Sequence, residues 1–294
     1  MVPQVILTLV NGRGTDRPVL DATRLLVERY NAHADIALLC PDPLFAIPYL
    51  GEGFSGGVVN QLLSQVEAEN TKRAEKARES FQNWRDDAGL VLADSRANLV
   101  AAIESDKEAP SCSWSEHIGA PDDLAAAMGR LADIIVHAHA GSFEETETTF
   151  EAALMESGRP LFLVPQSTSA TIGNSIVIAW DGSAESARAA GAALPLLSAA
   201  ETVTIVSVVE EGKDIAGTEH LARYLSWHGI TANTRLVDAG DRSVGEAVLD
   251  VAKQESSDLL VMGAYGHNRY RELIFGGTTR HVLEHCALPV LLAH

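Results

Sequence analysis

The chain has 294 residues, is 46% hydrophobic, and carries 40 acidic against 22 basic side chains, a formal net charge of −18. That is enough length and apolar content for two ordinary domains with buried cores. The acidic excess argues against nucleic acid backbones and anionic membrane surfaces as partners. No run approaches the roughly 20 apolar residues of a spanning helix. The opening MVPQVILTLV enters a strand-like run without a leader's basic segment, so a cytoplasmic protein is expected. Cys40, Cys112 and Cys286 are far apart with no CxxC spacing, which suggests buried small apolar residues rather than disulfides or zinc ligands.

In chain order, VILTLVNG (5–12) reads as a strand ending in a polar residue and Gly, followed by a helical stretch, and ADIALLC (34–40) reads as the next strand. GEGFSG (51–56) matches a dinucleotide-binding glycine pattern letter for letter. Ten residues containing Pro41, Pro43 and Pro48 separate it from the nearest strand, so a loop is expected. From Val58 to Ala88, the residues Val59, Leu62, Leu63, Val66, Ala74, Ala77, Phe81 and Trp84 recur at three and four, which predicts one long amphipathic helix. The plainer reading is a packed helix with one solvated face; the sharper one is a lid or interface helix. LADIIVHAHAG (131–141) and GRPLFLVP (158–165) complete the first half, and the polar QSTSATIGN (166–174) reads as a linker.

The second half repeats the first. SIVIAWDG (175–182) matches 5–12, VTIVSVV (203–209) matches 34–40, SSDLLVMGAYG (256–266) matches 131–141, and ALPVLLAH (287–294) matches 158–165. Strands are predicted near 175–180, 203–209, 233–237, 258–263 and 288–292, with helices near 184–197, 215–228, 243–254 and 279–285. Alternation of this kind predicts an α/β protein with parallel sheets covered on both faces. The expected organisation is one unit over 1–165, the linker, and a second unit over 175–294.

The chemistry-bearing stretch is GAYGHNRYRELIFGGTT (263–279), between a strand and a helix. Parallel sheets bind ligands beyond the carboxyl ends of their strands. Glycines let backbone N–H groups approach an anion, and a Gly-Gly-Thr-Thr turn opening a helix adds unpaired donors and the positive dipole end. Arg269 and Arg271 could neutralise phosphate charge; equally, the glycines could only shape turns.

Gly263-x2-Gly266-x9-Gly276, with DLLVMG before it and LPVLL behind, resembles the ATP-binding signature of the universal stress protein family, and IVIAWDGSAESARAA resembles that family's first strand, Asp and helix. The resemblance covers 174–294 and, more weakly, 2–165, so the chain resembles a tandem member with two Rossmann- or flavodoxin-like units, each a mostly parallel five-stranded sheet. It implies a site for ATP or AMP, with or without Mg2+. Asp181 would take the adenine edge beside Ala179, Val208 would line the base and ribose pocket, and Met262 and Gly263 would contact the nucleoside. Gly266, Gly276, Gly277, Thr278 and Thr279 would cradle the phosphates. Many nucleotide-binding members carry Ser or Thr where Gly277 stands, which leaves a nucleotide-free interaction scaffold as an alternative.

In the first unit Asn11 replaces Asp181, His137-Ala138 replaces Met262-Gly263, and no Gly-Gly turn is present, so this unit is expected to keep the fold without binding nucleotide through the motif. The family commonly dimerises through its last strand. The resemblance therefore implies a pseudo-dimer within one chain, with homodimers of whole chains and an unidentified protein partner left open.

Four other patterns have plainer explanations. HVLEH (281–285) matches an inverted zinc-protease motif but lacks a third ligand downstream. His137 and His139 share one strand face without a matching carboxylate, and Ser183 fits an N-cap better than a nucleophile. Asp238 and Asp241 fit a polar loop. No positioned general base or nucleophile is visible, so any ATP hydrolysis is expected to be slow. The expected role is a stress-response nucleotide sensor or adaptor; a slow adenine-nucleotide hydrolase is the enzymatic alternative.

Overall fold

In each half of the chain, an aspartate just ahead of the fourth strand of the repeat starts the first strand. The computed structural model describes residues 2–44, 56–93, 110–139, 147–166, 171–209, 217–266 and 277–294. Asp133 Oδ2 accepts hydrogen bonds from the backbone N–H groups of Gln4 (2.7 Å) and Val5 (3.0 Å). Asp258 Oδ1 accepts from Gly173 (2.9 Å), Asn174 (2.9 Å) and Ser175 (3.0 Å). The two aspartates hold matching places in LADIIV and SSDLLV, so the repeat read from the sequence is also a repeat of hydrogen bonds. Asp258 is buried. Asp258→Ala would leave three backbone donors without their acceptor and is expected to destabilise the second unit by about 2–3 kcal/mol, read from urea unfolding.

The residues Pro3–Arg159 form one compact unit. It contains β1 (Val5–Val10), α1 (Asp16–Tyr30), β2 (His33–Pro41), α2 (Gly56–Ala88), β3 (Val91–Leu92), β4 (Ser111–Gly119), α3 (Pro121–Gly129), β5 (Ile134–Ala138) and α4 (Glu147–Glu156). The strands lie in the order β3-β4-β2-β1-β5, all pairs parallel. Buried Ile6, Leu7, Ile36, Leu38 and Ile135 supply its central apolar layer.

The second compact unit spans Pro160–His294. It contains β6 (Leu161–Val164), β7 (Ser175–Ala179), α5 (Ala184–Leu197), β8 (Thr202–Val209), α6 (Thr218–Trp227), β9 (Asn233–Asp238), α7 (Val244–Gln254), β10 (Leu259–Gly263), α8 (Gly277–His285) and β11 (Val290–Ala293). The order is β6-β11-β10-β7-β8-β9, parallel except that β6 runs antiparallel to β11. Both halves are α/β with mostly parallel sheets, and every predicted strand of the second half forms. Caps close its helices: Ser183 accepts from Ser186 N at the start of α5, and Ser243 with Glu246 forms a capping box on α7. β6 belongs to the first half by its sequence and to the second by packing. Leu161, Phe162 and Leu163 pair with Leu292, Leu291 and Val290, giving this sheet one strand more than the five expected.

The stretch between β2 and β4 is the chief departure from the repeat. Between β8 and β9 the second unit has α6, with ten residues; the first has the 33-residue α2 and the short edge strand β3. The helix forms as its periodicity predicts, yet its apolar stripe is buried only toward the C-terminal end. Ala77, Phe81 and Trp84 are at most 3% exposed, whereas Val58 and Leu62 near its start are exposed at 40% and 37%. Phe81 stacks on Trp114 of β4 at 5.0 Å. The position at 73, one helical turn before Ala77, holds an arginine that is only 8% exposed. The GEGFSG loop lies outside the described residues apart from Gly56, which opens α2.

Cys40, Cys112 and Cys286 are buried free thiols, as the composition suggested. Burial raises the Cys40 pKa and pushes Cys112 and Cys286 up to about 11, so they are poor nucleophiles. No described helix is long and apolar enough to cross a membrane.

Candidate functional site

Strand β7 is the switch point of the second sheet: β8 and β9 are added on one side of it, β10 and β11 on the other. A crevice opens at the carboxyl ends of such a strand pair. Ala179 ends β7 and stands in register with Met262 of β10, and Gly263 ends β10. Val208 is half-buried near the carboxyl end of β8. Beyond β7, Asp181 is exposed, and its Oδ1 accepts hydrogen bonds from Ser183 N (3.0 Å) and Ser183 Oγ (2.6 Å). That turn fixes the carboxylate over the strand ends and leads into the N-cap of α5. Ser183 is thus a capping residue, as the sequence suggested.

Because β10 and β11 are parallel, the crossover helix α8 runs back from the carboxyl edge, and its first turn starts there. Gly277 has open space where a Cβ would stand, with no atom within 4 Å. Thr278 is half-buried and Thr279 buried. Free helix N–H groups and the dipole make this end suited to an anion. Gly276, Arg269 and Arg271 lie outside the described residues.

The two described glycines of the motif have different physical reasons. A Cβ on Gly263 would stand 2.4 Å from Ser186 N and 2.7 Å from Glu185 C, so glycine is required there for β10 to pack against the first turn of α5. A Cβ on Gly266 would be tight only against the carboxylate end of Glu185, at 3.0 Å, with Ser183 Cβ at an ordinary contact distance of 3.6 Å. Glu185, not singled out in the sequence, therefore borders the motif, and Arg188 pairs with it at 2.6 Å. Its signal was the acidic residue in the first turn of α5. Between the glycines, Tyr265 takes a left-handed φ of 64°, rare for a residue with a side chain.

The competing patterns resolve as local structure. His281 and His285 stack ring on ring at 4.2 Å with planes 13° apart, and His285 Nδ1 lies 2.9 Å from the carbonyl of His281. No group of three metal-ligating side chains occurs among the described residues. Asp238 closes a turn by accepting from Gly240 N at 2.9 Å. His137 is buried, with Nδ1 2.8 Å from the carbonyl of Ala138.

Burial lowers the pKa of His33, His137 and His139 alike. The unfolded chain therefore takes up protons at these positions before the folded one does, and stability falls as pH drops below about 6.5. Asp16, whose pKa burial raises, acts in the opposite sense, but only nearer the carboxylate range. The urea midpoint of the first unit is expected to be lower at pH 5.5 than at pH 7.5.

Residues 230–294 match the sequence profile of the Universal stress protein family. Universal stress protein Slr1230 of Synechocystis is 30% identical over 120 residues, which covers 40% of this chain and 41% of that protein. Among solved structures, a universal stress protein from Archaeoglobus fulgidus shares the fold across 98% of this chain and 97% of its own, with a TM-score of 0.64 at 13% identity. A universal stress protein from Pseudomonas aeruginosa does so across 99% and 93%, with a TM-score of 0.57 at 12% identity. The second unit thus carries, over residues 230–294, the sequence profile of the Universal stress protein family, and the chain spans about two fifths of the length of the curated relative it matches.

Proposed function

We propose that the second unit binds an adenine nucleotide, ATP or AMP, with or without Mg2+, and that the protein acts in the cytoplasm as a stress-response nucleotide sensor or adaptor. Residues 175–294 form the binding domain; 1–165, joined by the linker 166–174, keep the fold without the motif. The observation that carries this reading is the placement of Ala179, Asp181, Met262 and Gly263 at one switch point, on the edge where the first turn of α8 also begins. A slow adenine-nucleotide hydrolase is the enzymatic alternative at the same site, and a turnover above about 1 s⁻¹ would overturn the expectation that hydrolysis is slow.

A second reading, a nucleotide-free scaffold, draws on Gly263, whose glycine identity the packing of α5 already explains. Calorimetric titration with Mg-ATP and with AMP separates the two. Gly277→Asp is the informative variant, because its side chain enters open space and an acid suits a helix start, yet it sets a negative charge where phosphates would sit. Saturable binding weakened at least tenfold by Gly277→Asp is expected. No binding by the unaltered chain would overturn the proposal in favour of the scaffold.

A further inference from the structure

In the first unit the long helix crosses the carboxyl ends of the central strands. The α2 backbone at Arg73 lies so close to Gly12 that a Cβ on the glycine would overlap the Arg73 carbonyl, and Asn70 Nδ2 donates to the Pro41 carbonyl at 2.9 Å. Arg73 is 8% exposed and donates to two backbone carbonyls, Asn11 O at 2.8 Å from Nε and Leu39 O at 3.5 Å from Nη2. It makes no ion pair among the described residues. Burial and the neighbouring Arg13 work against its charge, while Cys40, Glu69 and Asp16 favour it to a smaller degree, and its pKa is lowered. With no carboxylate within ion-pair distance among the described residues, the rest of its five N–H donors can serve an anionic ligand.

Two cavities of about 250 and 310 Å³ share Arg13 and Arg73 in their walls. The larger is lined also by Lys72, Lys76 and one acid, Glu69; the smaller reaches Asp122, His137 and Thr149. This is a concentration of four cations in a chain of net charge −18. Because the His137 Nδ1–H donates to the Ala138 carbonyl, its Nε2 is left as an acceptor, and Asp122 is a second acceptor in the wall of the same cavity.

We propose that the first unit carries its own anion site, built on Arg73 of the long helix, for the phosphate monoester of a small hydroxylated molecule. The guanidinium fork matches a phosphate face, and a cavity of about 250 Å³ is of a size to hold such a molecule.

The test is calorimetric titration of the full chain carrying Gly277→Asp, which separates this site from the one proposed in the second unit, using inorganic phosphate and glycerol 3-phosphate at low ionic strength. Saturable binding of glycerol 3-phosphate, tighter than that of phosphate, is expected. Arg73→Met should lose it by at least tenfold, while the exposed Lys76→Ala, which leaves the fold untouched, should weaken it about threefold. Absence of binding, or binding that neither substitution changes, would overturn the site; equal binding of both probes would overturn the hydroxylated portion of the ligand.

Discussion

Trp84→Ala is expected to lower the stability of the first unit by about 3–5 kcal/mol, the cost of deleting a large buried aromatic and leaving a cavity. Trp84 is fully buried and lies beside Phe81, which in turn stacks on Trp114. These rings anchor the C-terminal end of α2, since the start of the helix is largely exposed. Losing the anchor also frees the turn that carries Arg73, so the variant should lose the phosphate site together with its stability. The Trp84 Nε1–H has no hydrogen-bond partner among the described residues. Trp84→Phe, which keeps most of the ring and removes that donor, is therefore expected to cost less than about 1.5 kcal/mol. Urea unfolding of the two variants checks both figures; equal losses would mean that the site needs the full indole shape and that a smaller ring does not hold the packing.

Gly263→Val is expected to destabilise the second unit by about 3 kcal/mol, at the upper end for overpacking, because the added atoms meet backbone and not a side chain that can swing away. The nearest atoms are Ser186 N at 2.4 Å and Glu185 C at 2.7 Å. Gly266→Ala is tight only against the movable end of Glu185, with Ser183 Cβ at ordinary contact distance, and should cost less than about 1 kcal/mol. Circular dichroism on urea unfolding separates them. Loss of nucleotide binding in Gly263→Val would therefore follow from a displaced α5 as readily as from a blocked ligand. For that reason Gly277→Asp is the better probe of the phosphate end of the site.

The contrast between these two glycines shows how much of the site was legible. The pattern Gly263-x2-Gly266 located the turn at the end of β10, because strand period and glycine spacing are local properties. It could not show that the first glycine is required by helix packing and the second is not, since that depends on where α5 lies. The same holds in α2. Its periodicity marked Ala74 as a stripe residue, while the structure buries Arg73 in its place, against carbonyls of β1 and β2 that are distant in the sequence.

By itself the sequence determined the duplicated α/β plan, the strands and helices of the second half, the capping serine at 183, and the carboxyl-edge position of the glycine motif. All follow from apolar period, turn chemistry and repeated order along the chain. Only the tertiary structure decided that β6 pairs antiparallel with β11, that α2 crosses the strand ends of the first unit, and that Arg73 is buried there against the carbonyls of Asn11 and Leu39. Strand partners and buried ionic environments are set by residues far apart in sequence, and no local pattern records which of several apolar surfaces a strand or helix will cover.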